Sequence, residues 1–240
     1  MKNIYQDILD SVLKQEKLLA VLIDPDKMEL GELYSFMLKL NASVVTHIFV
    51  GGSIVDNDII EPFVSEIKAH TNLPVVLFPG DINQITGAAD AILFLSLISG
   101  RNPEYLIDKQ VKAISKLRQM QLEVLPTGYI LIESGNETTV QLVSKTQPLP
   151  KDNVQHIVDT SKAGELLGMK LIYLEAGSGA LNPINAEIIS MVKDDINIPL
   201  IVGGGIRNKR QLVQAYKAGA DMVVIGNAFE EDKSFFDELV

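Results

Sequence analysis

Short apolar runs alternate with helix-period stretches along the whole chain. Ile4, Ile8 and Val12 recur at helical spacing and predict a helix over residues 4–17. Residues 18–23 follow as an unbroken apolar run, the mark of a strand buried on both faces. The alternation continues, with strands predicted at 46–50, 74–78, 91–97, 122–125, 171–174, 200–202 and 222–225. Helices are predicted at 30–40, 56–70, 103–119, 154–167, 186–193 and 208–218, with a short closing helix at 232–239. Polar or glycine-rich residues stand at the C-terminal ends of the strands. Eight strands alternating with helices in this way predict one (β/α)8 domain, a TIM barrel, spanning residues 1–240. A doubly wound sheet would instead carry its glycine fingerprint after the first strand. Segment 130–153 fits the pattern least. Its first residues extend or flank strand five, and the polar, proline-containing remainder reads as a lid, a mobile loop or an interface.

The length of 240 residues is close to the roughly 250 typical of such a barrel, and a 47% hydrophobic content is ample for one large core. There is no cysteine, hence no disulfide, thiolate metal site or cysteine nucleophile. The first residues lack the apolar core of a signal peptide, and no apolar run approaches the ~20 residues that span a bilayer. A cytoplasmic protein is expected. A formal net charge of −10 argues against a nucleic-acid partner, which needs a basic face. An anionic substrate must then be handled locally, by backbone N–H groups, helix dipoles, a metal ion or a few placed cations. Apolar surface helices point to a homo-oligomer.

All strand C-termini of such a barrel meet at one mouth. After Leu200, Ile201 and Val202 come Gly203, Gly204 and Gly205, and then a helix. Backbone without side chains just before a helix N-terminus suits a phosphate. Gly226 and Asn227 repeat the form after the next strand, although a pair of tight turns with no ligand has the same appearance. Strand one ends in Asp24-Pro25-Asp26-Lys27. Asp26 suits a loop cap, whereas Asp24 comes directly off the strand and points into or along the mouth. Asp24 could hold a hard cation such as Mg2+, with Ser53 offering a hydroxyl from the neighbouring strand or simply ending a Gly-Gly turn. Tyr173 and Glu175 are two apart and share one side of strand six. A carboxylate placed there can bind hydroxyl groups and take a proton from one; the bland alternative is inner-face packing. His47, His70 and His156 miss the strand tips and lack ligand spacing, so they read as structural. Phe78, Phe94, Leu97 and Tyr129 are candidate walls of an apolar groove, and equally candidates for core.

The motifs at 22–27, 51–53, 173–179, 203–207 and 226–227, in that order and at those separations, together resemble the geranylgeranylglyceryl phosphate synthase family. These are prenyltransferases with a (β/α)8 fold. The resemblance implies an ether-forming reaction in which sn-glycerol 1-phosphate attacks a long-chain isoprenyl diphosphate and releases diphosphate, yielding a membrane-lipid precursor. By the same resemblance Asp24 and Ser53 match the Mg2+ positions. Tyr173, Leu174, Glu175, Ala176, Gly177, Ser178, Gly179, Gly203, Gly204, Gly205, Gly226 and Asn227 match the glycerol-phosphate site, with Glu175 and Asp24 as the catalytic pair. Some members carry a lysine where this chain has Leu22, so another cation, Lys27 or Arg207, takes that role or the role is absent. Three alternatives stand beside this reading: a synthase for another prenyl chain length, an isomerase or aldolase of sugar phosphates, and a non-catalytic barrel that binds a phosphorylated metabolite. An aldolase would need a Schiff-base lysine on an inner strand, and none is present.

Overall fold

The computed structural model describes residues 3–52 and 59–226. Eight parallel strands close into a barrel in sequence order, β1 (Leu18–Ile23), β2 (His47–Val50), β3 (Val75–Leu77), β4 (Ala91–Leu97), β5 (Glu123–Leu131), β6 (Leu171–Glu175), β7 (Leu200–Gly203) and β8 (Met222–Ile225). Leu18 pairs with Met222 and Val21 with Ile225, which shuts the ring. No helix among the described residues is long and apolar enough to cross a membrane.

Alternation along each strand divides the core in two. Leu18, Ala20, Phe49, Val76, Leu93, Leu125, Tyr173 and Met222 fill the barrel interior. Their neighbours Leu19, Val21, Ile48, Val75, Leu77, Ile92, Leu174 and Val202 pack outward against the helices. Because both faces are buried, the strands read as unbroken apolar runs.

The surrounding helices are α1 (Ile4–Leu13), α2 (Leu30–Asn41), α3 (Ile60–Ala69), α4 (Lys109–Leu117), α5 (Thr139–Ser144), α6 (Val154–Leu166), α7 (Ala186–Asp195) and α8 (Lys209–Lys217). Helix α1 sends Ile4 and Ile8 into the interior cluster. Its free N-terminal amides of Ile4 and Tyr5 donate to the two carboxylate oxygens of Glu123, at 2.6 and 3.0 Å, at the start of β5. The helix is shorter than its periodicity suggests and gives way to a turn in which Gln15 takes a left-handed conformation, φ 58°.

Two departures from the sequence reading shape the mouth. Strand β5 does not stop at residue 125. Pro126 lacks an N–H but pairs in register with Phe94, and its carbonyl accepts from the Lys170 amide at 2.8 Å, so the ladder continues to Leu131. Thr127 and Tyr129 are therefore strand residues, with Tyr129 directly beside Tyr173 of β6. The segment after β5 is also partly ordered. Ile132 bridges Leu149, and α5 lies in the loop so closed. The helix expected at 103–119 opens with a π-helical turn, Glu104–Asp108, before α4. The expected closing helix at 232–239 lies outside the described residues.

His47 sits in the barrel wall, 4% exposed. The Thr46 hydroxyl donates to the Leu19 carbonyl at 3.0 Å, so it accepts from His47 Nδ1 at 2.8 Å. Nδ1 thus carries the hydrogen, and Nε2 is a buried acceptor with no hydrogen-bond partner among the described residues. Burial pushes the imidazole from its ordinary 6.5 down to about 4. A depressed pKa means that the unfolded chain takes up the proton first, so this stability is present above pH 6.5 and lost as pH falls toward 4. The loss attributable to His47 should reach roughly 3 kcal/mol. Chemical denaturation of His47→Leu across that window should show a correspondingly flatter acid slope than wild type.

Candidate active site

The C-terminal ends of the strands surround a cavity of about 230 Å³. Its floor is set by β6. Tyr173 and Glu175 point inward, and Glu175 is 6% exposed. One carboxylate oxygen, Oε1, accepts the Gly177 amide at 2.6 Å. The hydroxyls of Tyr129 and Tyr173 also bond to Glu175. Burial pushes the Glu175 carboxyl above its ordinary 4.5, and these three donors oppose the shift without cancelling it. Burial and the adjacent carboxylate push both tyrosine hydroxyls well above 10, so they remain protonated donors.

The glycines at the end of β7 have a reason that their sequence context does not reveal. A Cβ on Gly203 would collide with the Tyr173 hydroxyl. One on Gly204 would lie 2.5 Å from Glu175 Oε1 and 2.8 Å from the Gly177 nitrogen, and the backbone there is left-handed, φ +84°. Both positions are empty of side chain because β6 fills the space. Gly226 differs: among the described residues, a Cβ there would meet nothing closer than Leu22 at 3.7 Å.

Of the predicted stretch at 173–179, Tyr173, Glu175, Gly177, Ser178 and Gly179 line the cavity, as do Gly204, Gly205 and Gly226. Leu174 and Ala176 do not; strand alternation turns them into the layer between barrel and helices. Gly203 lies within β7, behind Tyr173. Ser53 and Asn227 lie outside the described residues.

The loop cap expected of Asp26 is supplied by Asp24, which also borders the cavity. Oδ1 accepts the Asp26 amide at 3.2 Å, an Asx-type cap, and Oδ2 lies 3.4 Å from Lys27 Nζ, yet the residue also lines the cavity. A Cβ on Gly52 would come within 2.9 Å of Oδ1, so glycine at the tip of β2 admits the carboxylate. No group of three or more metal-ligating side chains occurs among the described residues. Lys27 and Arg207 both border the cavity beside Leu22. Arg207 is largely committed to the protein, donating to the carbonyls of Ala180 at 2.8 Å and Leu181 at 3.3 Å.

A second cavity of about 120 Å³, mostly apolar, adjoins the first. Phe78, Phe94, Leu97 and Tyr129 all border it. The two share Gly52, Phe78, Tyr129 and Val140. At this seam Phe78 stacks on Tyr173 with centroids 5.5 Å apart and meets Tyr129 edge-on at 5.8 Å.

Sequence reasoning missed the part played by the segment after β5. Thr139 and Val140 line the polar cavity, and Val140 and Val143 the apolar one. Asn136 fastens the loop after β6, donating to the Gly179 carbonyl at 3.1 Å and accepting from the Leu181 amide at 3.2 Å. The only hint was polar, proline-containing composition in an unexpectedly long connection.

Known proteins agree with this architecture. The PcrB family model matches residues 11–240. A geranylgeranylglyceryl phosphate synthase of Flavobacterium johnsoniae is 56% identical over 237 residues, covering 99% of this chain and 98% of that protein. One of Thermococcus kodakarensis is 42% identical over 223 residues, covering 91% and 86%. A crystal structure of (S)-3-O-geranylgeranylglyceryl phosphate synthase from Thermoplasma acidophilum, in complex with substrate sn-glycerol-1-phosphate, superposes with a TM-score of 0.93 at 33% identity, covering 100% of this chain and 96% of that one. The fold is thus shared with a geranylgeranylglyceryl phosphate synthase of known structure. The chain belongs to the PcrB family and is a prenyltransferase of the geranylgeranylglyceryl phosphate synthase type.

The crowding argument separates two glycines experimentally. Gly204→Ala should lower stability by about 1–3 kcal/mol, since it combines a left-handed backbone with a collision at Glu175. Gly226→Ala should leave the melting temperature nearly unchanged. Thermal unfolding of the two variants checks this, and makes Gly226 the cleaner position for probing ligand affinity.

Proposed function

We propose that the protein transfers a long-chain isoprenyl group, geranylgeranyl in the first instance, from its diphosphate to the C3 hydroxyl of sn-glycerol 1-phosphate, in a Mg2+-dependent reaction. The observation that carries this reading is a buried carboxylate, Glu175, beside the seam between a polar cavity and an apolar one.

The phosphate of the glycerol substrate suits the glycine-rich rim at Gly179, Gly204, Gly205 and Gly226, where backbone N–H groups stand unshielded by side chains. Asn227 would extend that rim. The glycerol hydroxyls then reach toward Tyr173 and Glu175. Glu175 orients the C3 hydroxyl and accepts its proton, while Tyr129 and Tyr173 donate to the carboxylate and keep it in place. The isoprenyl chain lies in the apolar cavity, with its reactive carbon at the Phe78–Tyr129 seam. As the allylic C–O bond breaks, diphosphate departs toward the Asp24 side and the glycerol oxygen bonds to the freed carbon. Leu22 offers no charge there; Lys27, paired with Asp24, and Arg207, engaged by carbonyls, are the cations that border that side.

Asp24 fits a hard cation of the kind held by one carboxylate and substrate phosphates, because it borders the cavity and Gly52 leaves its oxygens accessible. Asp24, together with Ser53, would hold Mg2+, which would supply positive charge against the leaving diphosphate.

Glu175→Gln should lower turnover by ~10²–10⁴-fold, the usual contribution of a positioned base. Wild-type activity should fall on acidification at a pH above the ordinary carboxyl value, because a raised pKa leaves the base protonated earlier. A pH–rate profile of kcat read against the flat, low profile of the variant checks both, and wild-type kinetics in Glu175→Gln would remove the assignment. Asp24→Asn should keep the fold and raise the Mg2+ concentration needed for half-maximal rate. A Mg2+ titration identical to wild type would exclude Asp24 as the metal ligand.

A further inference from the structure

After β3 the chain makes a single 3₁₀ turn, Ile82–Gln84, started by Asp81, whose side chain accepts the Ile82 amide at 2.6 Å. The turn sends Gln84 into the protein, where it is 1% exposed and lines neither cavity. Burial of an amide is costly unless its polar atoms are bonded, so its partners show what holds it there. Oε1 accepts the Gly80 amide at 3.0 Å and the Gly52 amide at 3.4 Å, and Nε2 donates to the Gly52 carbonyl at 2.8 Å. Gln84 therefore grips both backbone polar groups of Gly52, 32 residues earlier, and joins the tip of β2 to the tip of β3.

On its other side Gly52 meets Asp24. A Cβ on Gly52 would lie 2.9 Å from Asp24 Oδ1 and 3.0 Å from both Cγ and Oδ2, so the whole carboxylate is set against this stretch of backbone. The contacts of Asp24 within its own loop are longer, 3.2 Å to the Asp26 amide and 3.4 Å to Lys27 Nζ. Gly51 is fixed too: its amide donates to the Ile23 carbonyl at 3.1 Å, and a Cβ there would collide with the Phe78 carbonyl. The tip of β2 thus lies between Gln84 and the Asp24 carboxylate, and a shift on one side is felt on the other.

We infer that Gln84 is a positioning residue for Asp24: through Gly52 it sets the orientation of the carboxylate, and with it the affinity of this side of the mouth for a divalent cation that accompanies a diphosphate. The inference rests on the reading that Asp24 and Ser53 hold Mg2+ against the diphosphate. Gly52 directly precedes Ser53, so the same anchor stands one residue from the second group of that reading. Gln84 acts only through the backbone it holds. A role confined to joining the two strand tips would lower stability without distinguishing one ligand from another.

The test is calorimetric titration of the full-length protein with inorganic pyrophosphate in the presence of Mg2+ and, separately, with sn-glycerol 1-phosphate. Gln84→Met keeps the length of the side chain and removes all three hydrogen bonds. It should weaken Mg2+–pyrophosphate binding by about 10–100-fold, the usual effect of losing a group that orients a metal ligand. Affinity for sn-glycerol 1-phosphate should stay within about twofold of wild type, because its rim is built by the loops after β6, β7 and β8. Gln84→Asn, an amide one methylene too short to reach Gly52, should show the same selective loss, and it carries the comparison if circular dichroism finds Gln84→Met unfolded. Wild-type Mg2+–pyrophosphate affinity in a folded Gln84 variant, or an equal loss for both ligands, would overturn the proposal. Asp24→Asn separates it from the reading beneath. Wild-type Mg2+–pyrophosphate affinity in Asp24→Asn removes the metal reading and the proposal with it, whereas a loss there that the Gln84 variants do not share overturns the proposal alone.

Discussion

A carboxylate held away from water needs donors around it, and the mouth of this barrel is arranged to provide them for Glu175. The Gly177 amide reaches it from the following loop, Tyr173 from two residues earlier on the same strand, and Tyr129 from the adjacent strand. Each donor constrains another part of the chain. Tyr129 is available because β5 continues past Pro126, and the Tyr173 hydroxyl has room because residue 203 lacks a side chain. The loop after β7 must be left-handed and bare at Gly204 because Glu175 and Gly177 occupy the adjacent space. Loss of a single donor would leave a buried group unsatisfied, at a cost of about 1–3 kcal/mol.

The same cluster marks a boundary in polarity. Above it lie glycine loops, Asp24, Lys27 and Arg207; beside it lie Phe78, Phe94 and Leu97. Stacked aromatic rings suit such a border, since their faces present apolar surface to one neighbour while the tyrosine hydroxyls satisfy polar groups on the other side. A substrate pair made of a phosphorylated polyol and a hydrocarbon chain meets matching surfaces only where these regions touch.

Much of the architecture was legible because both faces of every strand are buried, which turns the strands into apolar runs bounded by polar tips. Positions were easier to read than reasons. Gly203 and Gly204 stand out in the chain as a phosphate loop, but the nearby Tyr173 and Glu175 side chains already require glycine there. Leu174 and Ala176 fall inside a contiguous motif, and period-two alternation nevertheless sends them to the outer layer. Strand β5 runs on past Pro126, a residue that cannot donate to a ladder, and only the pairing with Phe94 shows that the strand continues there. Arg207 is recognisable as a cation, while its engagement by two carbonyls some twenty-six residues away leaves no local trace. Asn136 is harder still, since its partners lie 43 and 45 residues along the chain.

The loop that carries α5 is anchored at both ends of the site. Asn136 fixes it to the rim at Gly179 and Leu181, and Tyr105 holds its far end against the π-turn. Between these anchors Val140 belongs to both cavities at once. The hydrocarbon compartment and the phosphate compartment therefore lack independent boundaries. Reshaping one to admit a longer or shorter chain moves a wall of the other, so in this barrel selectivity for the tail and affinity for the head evolve as a single trait.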